Sequence, residues 1–150
     1  MKKITAIFIA SLLIGCSGKA PILGVVDGAL SECPSSPNCV CSQSKSEDHL
    51  VSPFSIAGSQ IKAKECVAGV LGAIDSAETI TVEDDYIRAE FTSTLFRYVD
   101  DVEFYFPNTA DNTTIIHVRS ASRLGYSDFG VNRDRVETLR TKINQSKECN

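Results

Sequence analysis

Six cysteines against a single methionine in 150 residues constrain this chain more than any other feature. Thiols at that density are unusual in a reducing cytosol, and in an oxidising compartment they pair and staple small domains together. The remaining composition agrees with one globular unit carrying a polar annex: 43% hydrophobic and 23% charged side chains, five prolines and no tryptophan. A disordered tail, a collagen and a polytopic membrane protein are excluded on those figures.

Export is written at the start of the chain. Lys2 and Lys3 precede an apolar run from Ile4 to Ile14, followed by Gly15 and Cys16. A run of about eleven residues falls well short of the ~20 that a helix needs to cross a bilayer, so it reads as a removable secretory signal rather than an anchor. Leu13-Ile14-Gly15-Cys16 resembles the lipobox of bacterial lipoproteins. That resemblance implies cleavage before Cys16 and acylation of its sulfur and new amino group. Two or more acyl chains hold stably where one binds marginally. Ser17 then implies carriage to the outer membrane, facing the periplasm. Residues 1–15 form the signal, 16–29 a tether and 30–150 a single domain. Losing the signal removes two lysines and no acid, taking the formal charge from -4 to -6 and making nucleic acid an unfavourable partner.

Five thiols remain: Cys33, Cys39, Cys41, Cys66 and Cys149. They make at most two bridges with one left over. Cys33 and Cys39 bracket a Pro-rich turn suited to a small disulfide loop, and Cys66 and Cys149 meet if the two predicted helices pack side by side. Cys41 is then odd, open to staying free, exchanging with Cys39 or pairing between molecules. A zinc site from Cys33, Cys39, Cys41 and His49 lacks the paired Cys-x-x-Cys knuckles, and no setting lowers the pKa of Cys41 for nucleophilic work. No metal or cofactor is expected.

Four of the five prolines fall between residues 17 and 59, a stretch read as tether and cysteine-bearing loop. Beyond it, Ser59 caps a predicted helix over 60–75 with Ala63, Val67, Val70, Leu71 and Ile74 on one stripe. Alternation predicts strands at 79–83, 86–92, 102–106 and 114–120. Val136, Leu139 and Ile143 mark a closing helix, with Asn132 or Asp134 as cap and Glu137 completing a capping box with Asp134. The expected fold is α+β, a four-stranded antiparallel sheet with two helices on one face in the order helix, four strands, helix. The other face would carry Arg88, Glu90, Glu103, Tyr105, His117 and Arg119, either solvated or as a platform.

Five of the seven arginines lie between 119 and 140, whereas residues 75–111 hold ten acids. Arginine forks suit phosphate or carboxylate, and a Ser- and Gly-rich loop entering a helix supplies N–H donors. Arg119, Ser120, Ser122, Arg123, Asp128 and Arg133 are therefore the candidate ligand-binding residues for a small anion. The competing reading pairs Arg119 and Arg123 internally with Asp100, Asp101 or Asp128. No nucleophile elbow, phosphate loop or zinc-protease motif is present, and no catalytic residue is assigned. The least favoured reading is acid–base chemistry by His117 with Glu103 or Arg119.

Cys33-Pro34-Ser35-Ser36-Pro37-Asn38-Cys39-Val40, His49-Leu50-Val51-Ser52-Pro53, Asp100-Asp101-Val102-Glu103-Phe104 and the stretch Arg119 to Arg133 together resemble a bacterial and plastid family known as domain of unknown function 1499. The resemblance spans roughly residues 30–143. Its members are often lipoproteins, which agrees with Cys16, and it implies no activity. Similar sequences usually have Ser at the position of Cys41, which implies Cys33–Cys39 as the core bridge and Cys41 as an accessory. The expectation is a non-catalytic envelope lipoprotein that binds or scaffolds a protein partner, with a small-anion binder as the alternative.

Overall fold

The computed structural model describes residues 18–108 and 112–149. Four short strands come first: β1 (Val25–Val26), β2 (Ala29–Leu30), β3 (Cys39–Cys41) and β4 (Phe54–Ala57). Helix α1 (Gln60–Gly72) follows, then β5 (Ala77–Val82), β6 (Tyr86–Thr92), β7 (Val99–Tyr105), β8 (Thr113–Ser122) and α2 (Val131–Gln145). The main sheet is antiparallel and six-stranded, with β5, β6, β7 and β8 in consecutive order and both β3 and β4 paired to the far side of β8. β1 and β2 form a separate hairpin. Its turn residues Asp27 and Gly28 have φ of 51° and 74°, the paired left-handed conformation that an Asp-Gly turn supplies between twisted strands.

The expected four-stranded sheet in the order helix, four strands, helix is thus corrected. The sheet has six strands, and four strands precede the first helix. Strands of three and four residues are too short for alternation to stand out, and β3 and β4 owe their conformation to β8. β8 is ten residues long, so it holds β3 opposite Arg119–Ala121 and β4 opposite Thr113–Ile116 at once. The two form one edge strand interrupted at residues 42–53. Ser42 closes the gap: its backbone N–H donates to the Val118 carbonyl (2.8 Å), and its hydroxyl accepts from the Val118 N–H (2.9 Å).

Alternation along β6, β7 and β8 sorts the sheet into two faces. Ile87, Ala89, Phe91, Val102, Phe104, Ile116 and Val118 join one buried core with Ala63, Cys66, Val67 and Leu71 of α1 and Val136, Leu139 and Ile143 of α2. Ser59 caps α1 as its sequence predicts, its hydroxyl accepting from the Lys62 N–H. The Cys66–Cys149 disulfide joins α1 to the segment just past the end of α2, and Cys33–Cys39 closes the proline-rich turn. The opposite face is only partly solvated: Arg88, Glu90, Tyr105 and His117 are partly exposed, Glu103 and Arg119 are buried, and Leu30, Cys41 and Tyr86 form a second small core there with Val25, Cys33 and Tyr105.

The cap of α2 departs from expectation. Its N-cap is Gly130 at φ 87°, and neither Asn132 nor Asp134 serves. Asp128 takes the role instead, accepting from the backbone N–H of Gly130 (3.1 Å) and Asn132 (2.7 Å). A carboxylate on the free amides of a first helical turn offsets donors that otherwise lack partners.

Candidate functional site

The face of the sheet opposite the helices carries a lattice of charge set by the strand register. Arg88 faces Glu103, Glu90 faces Asp101, and Glu103 faces Arg119 on the next strand. Arg88 donates to Asp101 Oδ1 from Nε (3.0 Å) and Nη2 (2.7 Å), and its Nη2 also reaches Glu90 (2.7 Å). From just past the end of β8, Arg123 grips the other side of Asp101, Nε to Oδ2 at 2.7 Å and Nη2 to Oδ1 at 2.9 Å, and it also bonds Glu90. Glu103 is fully buried, accepting from the Tyr86 hydroxyl (2.8 Å) and Arg119 Nη1 (2.9 Å).

Three guanidinium groups therefore meet three carboxylates, and the cluster has no net charge with which to attract an anion. Its hydrogen bonds run among its own members except at Arg119 Nε, which is buried without a hydrogen-bond partner among the described residues. Burial pushes the Asp101 carboxyl up, but Arg123 and Arg88 outweigh it and hold it below the ordinary carboxylate value. Burial, then Glu103, drives the Tyr86 phenol upward, so it stays a donor. The Arg123 guanidinium is raised by its bonds to Asp101 and Glu90 despite burial.

A second polar cluster joins α2 to the sheet's other face. Asn132, fully buried, donates from Nδ2 to the Asn38 carbonyl (3.0 Å), Ser122 Oγ (2.9 Å) and Asp128 Oδ2 (2.8 Å). Its Oδ1 accepts from the Ser120 hydroxyl (2.6 Å) and from Arg135 Nη1 (2.6 Å). Arg135 also pairs with Asp100 at 2.5 Å and lies 5.0 Å over the Phe91 ring. Arg133 donates to the Leu50 and Asp48 carbonyls, both at 2.8 Å, and Arg140 to those of Pro53 (2.8 Å) and Ser52 (2.7 Å). These two fasten α2 to the excursion that interrupts the edge strand.

The candidate anion-binding residues are thus distributed, not gathered. Arg119 and Arg123 lie in the first cluster, Ser120, Ser122 and Asp128 in the second, and Arg133 on the loop clamp. Asp128 pairs with neither arginine; it caps α2. Asn38, Asp100, Asn132, Arg135 and Arg140 complete the framework and are absent from the sequence-level candidate set. Two signals in the sequence point toward them: the Asp100-Asp101 pair on a strand otherwise apolar on its core face, and the run of arginines that takes in Arg135 and Arg140.

The histidines are separate from both clusters. His117 is half-buried, stacked on Tyr105 with centroids 6.0 Å apart, and its Nδ1 lies 3.3 Å from Ser42 Oγ. Burial lowers its pKa, and both oxygens of Glu103 are occupied by Tyr86 and Arg119, so no acid–base pair is assembled. His49 Nδ1 bonds the Cys39 carbonyl at 2.8 Å. Cys41 is a free, buried thiol, and burial pushes its pKa up despite nearby Arg119, opposite to what a thiolate nucleophile requires. Among the described residues no group of three His, Cys, Asp or Glu side chains is placed to hold a metal ion, and no helix is long and apolar enough to cross a membrane. Cys16 lies outside the described residues.

Fold and clusters together define a disulfide-stapled α+β domain with two buried polar clusters, one on each face of its main sheet. The chain belongs to the family described as protein of unknown function (DUF1499), whose model matches residues 29–143. No curated protein matches it. Among solved structures it is similar to TTHA0849 from Thermus thermophilus, at 12% identity and a TM-score of 0.33, over 70% of this chain and 88% of that one.

Proposed function

We propose that this protein is a bacterial cell-envelope lipoprotein, held to the outer membrane by acyl chains on Cys16, whose folded domain works by contact with a protein partner and without catalysis. The observation that carries the non-catalytic reading is the self-paired charge network: Arg88, Arg119 and Arg123 pair with Glu90, Asp101 and Glu103, although Arg119 Nε has no hydrogen-bond partner among the described residues. Opening it to receive an anion would strand buried carboxylates, at a cost of several kcal/mol. The arginines accordingly stabilise a scaffold. The anchor reading rests on the basic, apolar and small-residue order from Lys2 to Cys16.

Two measurements test this. Mass spectrometry of the membrane-extracted protein is expected to find an N-terminal peptide beginning at an acylated Cys16. An unmodified Cys16 peptide, or a chain still carrying residues 1–15, overturns the anchor. Thermal melts in phosphate and sulfate at constant ionic strength are expected to coincide with those in chloride, and a saturable rise in Tm with either anion overturns the self-paired reading.

A further inference from the structure

Two loops at one end of the sheet expose more apolar surface than their connections require. Between β6 and β7, Leu95, Phe96 and Tyr98 are 80%, 63% and 49% exposed, with the two rings stacked at 5.6 Å. Between β8 and α2, Tyr126 is 75% and Phe129 96% exposed, with Leu124 and Val131 beside them in sequence. The loops share an end because Thr92 pairs with Val99, Asp100 pairs with Ser122, and the Arg123 N–H reaches the Val99 carbonyl. A grouped aromatic and leucine rim on a small domain marks a contact surface.

The start of the described chain shows what that surface faces. A Cβ built on Gly18 would sit 3.0 Å from Arg123 Cβ and 3.3 Å from Leu124 Cγ, so the N-terminal segment passes directly against the second loop. Cys16 is two residues upstream, at most about 7 Å of extended chain. Acyl chains on Cys16 would therefore enter the bilayer beside the rim. Glu83, Asp84 and Asp85 occupy the β5–β6 connection at the other end of the strands; the rim loops carry Arg97 and one acid, Asp128, which is turned onto the α2 amides, and exposed Asp75 adjoins them on the α1–β5 connection, where the Ser76 carbonyl accepts from the Thr92 N–H.

We infer that the rim formed by Leu95, Phe96, Tyr98, Tyr126 and Phe129 is a membrane-contacting surface that seats in the lipid interface alongside the Cys16 acyl chains and fixes the orientation of the domain. This rests on the lipid-anchor reading above. Aromatic side chains settle at the headgroup level because one edge is apolar and the other tolerates water, and two loop tips add burial to an anchor that alone leaves a domain free to tumble.

The chain has no tryptophan, so single insertions report depth without background. The lipidated full-length protein carrying Phe129→Trp, and separately Tyr126→Trp, is reconstituted into phosphatidylethanolamine and phosphatidylglycerol vesicles with or without brominated acyl chains; Val82→Trp on β5 serves as the distal control. Both rim variants are expected to lose at least about half their emission to brominated lipid, while the control changes by less than about a tenth, as burial of only ~5–10 Å predicts. An acylated Cys16 peptide with rim and control equally unquenched overturns the rim and spares the anchor. An unacylated peptide overturns the anchor and the inference with it. Absent quenching together with dimeric sedimentation assigns the rim to a second copy of the chain and likewise overturns the membrane contact.

Discussion

Arg123 grips Asp101 with two parallel hydrogen bonds, 2.7 Å and 2.9 Å, from beyond the end of β8. Their side chains are 6% and 2% exposed, and Arg88 occupies the remaining approach. Removing one member of such a group leaves the others as uncompensated buried charge. Asp101→Asn is expected to lower the unfolding free energy by about 3 kcal/mol in urea denaturation. Asp101→Asn combined with Arg123→Met should cost less than the sum of the two single changes, by about 1 kcal/mol or more. Strict additivity would show that the pair is not coupled.

The same carboxylate sets an acid limit. Its folded pKa lies below the ordinary 3.8 because Arg123 and Arg88 outweigh burial. A depressed carboxyl binds fewer protons folded than unfolded, so its contribution is fully present above pH 3.8 and is lost as pH falls through the lower folded value. Asp128 is displaced in the same direction by the Asn132 and Gly130 amides, again against burial. Chemical denaturation from pH 5 to pH 2 should show stability falling below about pH 4, and Asp101→Asn should flatten that slope. An unchanged slope would place the acid sensitivity elsewhere.

The regular half of the fold is legible because its strands and helices are long enough to show a period. Tyr86–Thr92 occupies the span that alternation predicts, α2 buries its expected stripe, and α1 buries Ala63, Val67, Val70 and Leu71 of its own but ends at Gly72, short of the predicted 75, leaving Ile74 partly buried beyond it. β3 and β4 escape because Cys39-Val40-Cys41 and Phe54-Ser55-Ile56-Ala57 take their conformation from β8, a partner over fifty residues away in sequence. The outward residues Arg88, Glu90, Glu103 and Arg119 are placed on their face by alternation alone. Their burial is not readable that way, because it depends on cross-strand register and on a hairpin that packs from residues 25–30. The rim illustrates the same difficulty from the other side: Leu95 and Phe96 look like core residues in composition, and only their place in a turn exposes them.

The two disulfides should contribute unequally. Cys66 and Cys149 are separated by 83 positions and Cys33 and Cys39 by six. On the chain-entropy view the first restrains the unfolded chain by about 4.5 kcal/mol and the second by about 2. Cys66→Ala/Cys149→Ala is therefore expected to lower Tm further than Cys33→Ala/Cys39→Ala, measured by calorimetry. A reversed order would mean that the small loop fixes more than its own closure, as its position beside β3 and the Asn38 contacts would allow.

Cys41 is only 2% exposed, sits opposite Arg119 in the sheet register, and packs with Leu30 and Tyr86 beneath the β1–β2 hairpin. Burial raises its pKa, so at neutral pH it is a protonated thiol out of reach of solvent. Maleimide labelling of the native protein without reductant should leave Cys41 unmodified, and labelling in denaturant should modify it fully. Within the native state, the rate should follow opening of the hairpin rather than reagent concentration once the reagent is in excess. A variant that loosens the Asp27-Gly28 turn, such as Gly28→Val at φ 74°, is expected to speed labelling at least about fivefold, since a β-branched residue strains a left-handed turn by more than about 1 kcal/mol. Equal rates in the two proteins would mean that the hairpin is not what shields the thiol.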